Sequence, residues 1–159
     1  HPPRLRWQSP SDLRTMEPRM NHNEICLPRK LTNQLLHLAQ LSPEQEVCGL
    51  VAADSNGIPT SCYPISNSAS TPSNRFQLDP SQQIAAMKQI RDKQQSLFAI
   101  YHSHPTAPAV PSATDIEQAS YPDAVHLIIS LNTKGVLELR AFRIAEQQVT
   151  ELGLSLMEI

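Results

Sequence analysis

Residues 97–115, LFAIYHSHPTAPAVPSATD, join an apolar run to two histidines one residue apart, then to a proline-punctuated stretch and a Ser-x-x-Asp. Leu97 to His102 reads as a buried strand. Side chains two apart in a strand lie on the same face, so His102 and His104 project together while Ser103 points away. Pro105 cannot donate to a ladder, which leaves the pair at the mouth of the strand. Residues 105–111 carry three prolines and form a loop, after which Ser112 starts a short helix that stops before Pro122.

The flanking sequence supplies the rest of the fold. Upstream, Asp79-Pro80 opens a helix running to about Gln95, with Ile84, Met87 and Ile90 as its apolar stripe. Arg75 to Leu78 alternates as a short strand would, and residues 66–74 (SNSASTPSN) form a polar loop of the kind that borders sites. From Glu46 an apolar run, VCGLVAA, reads as a strand stopped by Asp54-Ser55-Asn56-Gly57, and a second strand follows near Ile58 to Ile65. Glu24 to Leu27 is strand-like. Pro28 suits the first turn of a helix, and Leu31, Leu35, Leu38 and Leu41 recur at helical spacing over residues 28–41. Downstream, Val125 to Leu131 and Val136 to Ile144 read as strands around a turn at Asn132 to Gly135, and the last residues add an edge strand or a helix. The expected class is α/β in the α+β sense: a central mixed β-sheet flanked by helices.

Composition narrows the function. The chain has 159 residues, 40% hydrophobic and 18% charged, which suits one globular domain. A formal net charge of -2 and no long Lys/Arg run argue against a nucleic-acid partner. Cys26, Cys48 and Cys62 make no CxxC pair, and their odd number does not suggest a disulfide framework. No run of 18 apolar residues and no signal-peptide stretch is present, so the expectation is a soluble, cytoplasmic protein without a membrane partner. Residues 1–21 are rich in Pro, Arg and Ser without hydrophobic period, and Met20 suits a natural start. They are set apart as a disordered extension or an expression remnant, Trp7 with them, leaving residues 22–159 as one domain.

Two imidazoles on one strand face suit one metal ion, and Asp115 is the nearest candidate for a third ligand. A His-His-Asp set with an open position is what catalytic zinc requires, and a nearby carboxylate then serves as general base. Glu46, heading an otherwise apolar run, stands out for that role. Each feature alone has a plainer reading. Ser112-x-x-Asp115 is close to a capping box, an HxH arises by chance, and a lone Glu46 is a solvated strand end. His126 reads as a structural histidine and Cys48 as a small buried side chain.

Taken together, Glu46, His102-Ser103-His104-Pro105, with seven residues between His104 and Ser112 and two between Ser112 and Asp115, match the signature of the JAMM metalloproteases, also called the MPN-plus class. The chain resembles that family over roughly Ile25 to Ile144, including EVCGLVAA, RFQLDP and HLIISL. The resemblance implies His102, His104 and Asp115 as Zn2+ ligands, Glu46 as general acid/base and Ser112 as a hydroxyl holding the oxyanion. It also implies the MPN fold, which resembles that of the cytidine deaminases, and peptide or isopeptide hydrolysis at the C-terminus of a small ubiquitin-like or sulfur-carrier protein. The alternative is a non-catalytic MPN scaffold that binds partners, and the complete signature argues against it. No HExxH or PCxxC is present for another zinc class.

Overall fold

The computed structural model describes residues 23–132 and 136–158. The expected extension at residues 1–21, Trp7 and most of the turn at residues 132–135 lie outside the described residues. In chain order the elements are β1 (Glu24–Pro28), α1 (Arg29–Gln40), β2 (Cys48–Ala53), β3 (Pro59–Ile65), α2 (Pro80–Asp92), β4 (Ser96–His104), α3 (Ala113–Gln118), β5 (Val125–Ser130), β6 (Glu138–Ala145) and β7 (Gln148–Met157). The strands form one mixed sheet in the order β1-β7-β6-β5-β4-β2-β3. β4 pairs in parallel with β5 and antiparallel with β2, and β1 closes the far side in parallel with β7.

The two faces of β4 divide the molecule. Ala99 and Tyr101 face one side, where they pack with Val51, Leu127, Ile129 and Ala141 against Leu31, Leu35 and Ala39 of α1. Ile100 faces the other, packing with Leu50 and Ile65 against Ala86 and Ile90 of α2. Covering both faces explains why β2 and β5 are buried along their whole length and read as continuous apolar runs. His102 and His104 share the face of Ile100, one and two pleats further along. Gly49 lies where β2 passes beneath Tyr101. A Cβ there would come within 2.5 Å of both Tyr101 Oη and the Tyr63 carbonyl, so only glycine fits.

Several expectations shift. Pro28 ends β1 and occupies the position before α1, with φ -59° and ψ 137°, rather than sitting inside the first turn. Glu46 precedes β2, whose ladder starts at Cys48, rather than heading the strand. Arg75 to Leu78 does not form a strand; only Leu78 bridges, antiparallel, to Asn67. α2 ends at Asp92, and Gln94 takes a left-handed φ of 59° that turns the chain into β4. Ile84 is 71% exposed and Leu41 67%, because the buried stripes run through Ala86 and Ile90 on α2 and through Leu31, Leu35 and Ala39 on α1. The final strand is interior: β7 lies between β6 and β1, since the returning β1 takes the edge. Among the described residues no helix is long and apolar enough to cross a membrane.

Candidate active site

The end of β4 delivers His102 and His104 side by side, 1% and 2% exposed. Beyond it, Pro105 and the following loop turn the chain back to α3, whose N-cap is Ser112. Asp115 Nα donates to Ser112 Oγ at 3.0 Å, and Ser112 N–H donates to Asp115 Oδ2 at 2.9 Å. This reciprocal capping box fixes the Asp115 rotamer and aims its carboxylate at the histidines. Ser112 Oγ only accepts in that pair, so its O–H proton is not spent there.

Asp115 Oδ2 lies 3.0 Å from His102 Nε2 and 3.2 Å from His104 Nε2, and the two nitrogens are 3.1 Å apart. His104 Nδ1 is 2.8 Å from the Pro108 carbonyl. A carbonyl only accepts, so Nδ1 carries the proton and Nε2 presents its lone pair to the cluster. Lone pairs facing one another at such distances repel unless a cation or proton lies among them. The edge of a tetrahedron of N and O donors about 2.0–2.1 Å from a metal is about 3.3 Å, close to the observed triangle. The residues present therefore fit a metal ion.

Electrostatics agree with that donor set. Burial pushes the His102 pKa down, outweighing the opposite pull of Asp115. Burial also opposes protonation of His104, but the hydrogen bonds to Asp115 and Pro108 prevail and raise its pKa. Burial would raise Asp115, yet the hydrogen bonds from His102 and His104 hold it well below the usual carboxylate range. Glu46 behaves differently. Desolvation pushes it up to about 7, against the pull of His104. It is 4% exposed, and its Oε1 has no hydrogen-bond partner among the described residues.

Glu46, His102 and His104 also form a group whose ligand atoms all lie within 4.8 Å of one another. The histidine pair thus has two carboxylates to choose from. Asp115 Oδ2 lies within hydrogen-bond distance of both nitrogens, whereas Glu46 makes no such contact.

The structure brings together all five residues singled out from the sequence. It adds others that the sequence hid. Phe76 stacks on the His102 ring, with centroids 4.3 Å apart and planes 19° from parallel. Ser103 points to the opposite face, where its Oγ accepts from Val47 N–H at 2.8 Å and ties the Glu46 segment to β4. Alternation in the sequence marks Phe76 as part of a strand, and nothing local marks its contact with His102. His126 is buried, with Nε2 unpartnered among the described residues, and burial pushes its pKa down to about 4. The Cys48 thiol is likewise pushed up to about 12 by burial, an unreactive state at neutral pH.

The chain is also similar to known proteins. Residues 28–145 match the family described as prokaryotic homologs of the JAB domain. A desampylase of Haloferax volcanii is 42% identical over 89 residues, covering 55% of this chain and 64% of that protein. A CysO-cysteine peptidase of Mycobacterium tuberculosis is 30% identical over 135 residues, covering 84% of this chain and 92% of that one. A protein of Desulfitobacterium hafniense, solved in solution, superposes with a TM-score of 0.75 at 31% identity, over 84% of this chain and 93% of its own. With most of its length matched by that family and its sheet shared with such relatives, the chain belongs to the prokaryotic homologues of the JAB domain and is a hydrolase.

Proposed function

We propose that the protein is a zinc-dependent peptidase that cleaves a peptide or isopeptide bond at the C-terminus of a small ubiquitin-like or sulfur-carrier protein. The observation that carries the proposal is the convergence of His102 Nε2, His104 Nε2 and Asp115 Oδ2 at 3.0–3.2 Å. These three would hold the ion. Two imidazoles and one carboxylate suit zinc with a further position open. Bound there, zinc supplies Lewis acidity, polarising the scissile carbonyl and easing the deprotonation of water.

The chain's own groups do the rest. Glu46 takes a proton from the attacking water and passes it to the leaving amine, a role its buried place beside the histidine pair allows. Ser112 donates its O–H to the carbonyl oxygen as negative charge develops. Phe76 and the β-sheet walls hold His102 in place and keep bulk water from its ring.

The substrate class follows from the resemblance to the JAMM signature and from relatives named desampylase and CysO-cysteine peptidase. Residues 22–159 act as one catalytic domain. Three unpaired cysteines suit a reducing, cytoplasmic setting, without nucleic acid or membrane as partner.

The test combines elemental analysis with cleavage of a fusion placed after a Gly-Gly-terminated ubiquitin-like protein. About one zinc per chain and cleavage at the junction are expected, with Glu46→Gln keeping the metal and losing at least about 100-fold in kcat. A metal-loaded protein that only binds the fusion would make the chain a scaffold. Full activity in Glu46→Gln would remove that residue from the reaction.

A further inference from the structure

We infer that Asn67 is a positioning residue for Glu46, holding the main chain that aims its carboxyl at the histidine pair. The inference rests on the proposed role of Glu46. The Glu46 side chain is buried with its Oε1 unpartnered among the described residues, so that oxygen is not oriented by a hydrogen bond of its own. Its direction comes from its backbone, and that backbone is not in a ladder, because β2 begins at Cys48.

Loop 66–78 holds both the N–H and the carbonyl of Glu46, while the next N–H, of Val47, goes to Ser103 Oγ. Glu46 N–H donates to the Pro72 carbonyl at 2.7 Å, and Asn67 Nδ2 donates to the Glu46 carbonyl at 3.0 Å. Asn67 spends the rest of its amide within the loop. Nδ2 also donates to the Arg75 carbonyl at 3.0 Å, while Oδ1 accepts from Ala69 N–H and Gln77 N–H, each at 3.0 Å. Two donors and two acceptor sites are thus all used, a state only an amide can reach among two carbonyls and two N–H groups.

The consequence reaches both halves of the site. The loop that Asn67 closes also carries Phe76, which stacks on His102. One amide therefore fixes the spacing between the Glu46 backbone and the ring of a proposed ligand. Glu46 depends on it most, because the histidines and Asp115 are held as well by β4, Pro108 and the Ser112 cap. Misplacing a catalytic group by about 1 Å can cost about 100-fold in rate without loss of binding.

The test compares Asn67→Asp with Ser68→Ala in the zinc-loaded enzyme, alongside Glu46→Gln. Asp keeps the shape and both acceptor bonds but cannot donate to the Glu46 and Arg75 carbonyls. Ser68→Ala removes a different bond of the same loop, from its hydroxyl to the Gln77 carbonyl. Expected for Asn67→Asp are stoichiometric zinc, a KM within about twofold and a kcat lower by about 10- to 100-fold. Hydrogen exchange in the metal-free protein should show faster exchange of the Glu46 amide in Asn67→Asp and no change in Ser68→Ala. Asn67→Ala, which deletes all four bonds, should show the same pattern more strongly. Unchanged kcat in Asn67→Asp overturns the inference, as does joint loss of zinc and fold in both Asn67 variants, which would assign the residue to stability alone. Full activity in Glu46→Gln would instead overturn the role of Glu46 on which the inference stands.

Discussion

His104 Nδ1 donates to the carbonyl of Pro108 at 2.8 Å, so a residue of the proline-rich loop decides which nitrogen of His104 faces Asp115. The strand supplies the face and the loop supplies the tautomer. A histidine free to rotate or to exchange protons between its nitrogens would hold a cation less well, and such outer contacts are worth about 10- to 100-fold in metal affinity.

Deleting either partner of the central triangle should therefore be costlier than loosening its frame. His104→Ala and Asp115→Ala are each expected to fall well below one metal per chain while staying folded. Inductively coupled plasma analysis after gel filtration, with circular dichroism beside it, decides the point. A His104 variant that retains stoichiometric metal would refute its place as a ligand.

Ser112 carries two separable duties. Losing its side chain removes the cap of α3, worth about 1 kcal/mol, and the proposed donor to the oxyanion, worth about 100- to 1,000-fold in kcat. Ser112→Thr should keep most of both. Ser112→Asp should keep the cap and lose the rate, and a variant with full kcat and no hydroxyl would show that the oxyanion is held elsewhere.

His126 makes stability depend on acid. Burial lowers its folded pKa from 6.5 to about 4, so below pH 6.5 the unfolded chain takes up a proton that the folded chain refuses. Stability is undiminished above about pH 6.5, falls as the pH drops toward 4 and is then flat, for a total loss of about 3 kcal/mol from this group. Urea unfolding of the wild type against His126→Leu at pH 7.5 and pH 4.5 isolates the effect. Equal losses in both proteins would assign the acid sensitivity to other groups.

Gly49→Ala tests the close approach of β2 to Tyr101. The added methyl would meet both the Tyr101 hydroxyl and the Tyr63 carbonyl, and overpacking of this kind costs about 1–3 kcal/mol. A melting temperature lower by several degrees is expected, with partial recovery in Gly49→Ala/Tyr101→Phe because the Tyr63 carbonyl remains in the way. An unchanged melting temperature would mean that β2 can slide away from its neighbours at no cost.

Local pattern in the sequence determined most of the elements: the histidines sharing one strand face, Pro105 at the strand's mouth, Ser112 as a cap, the apolar runs at Cys48–Ala53 and Val125–Ser130. Each rests on interactions within a few residues, where strand alternation, proline geometry and capping leave few choices. The motif spacing also carried the family resemblance. Tertiary structure decided what no local pattern contains. Leu78 and its neighbours read as a strand until the loop wraps so that Phe76 lies on His102, and Ile84 reads as core until α2 rotates Ala86 and Ile90 inward. The last residues read as an edge strand or a helix until β1 pairs beside β7. The position of Glu46, 56 residues before His102, depends on an asparagine in a third segment. These contacts join residues far apart in the chain, and their geometry exists only once the sheet has assembled and its loops have found partners for their peptide groups.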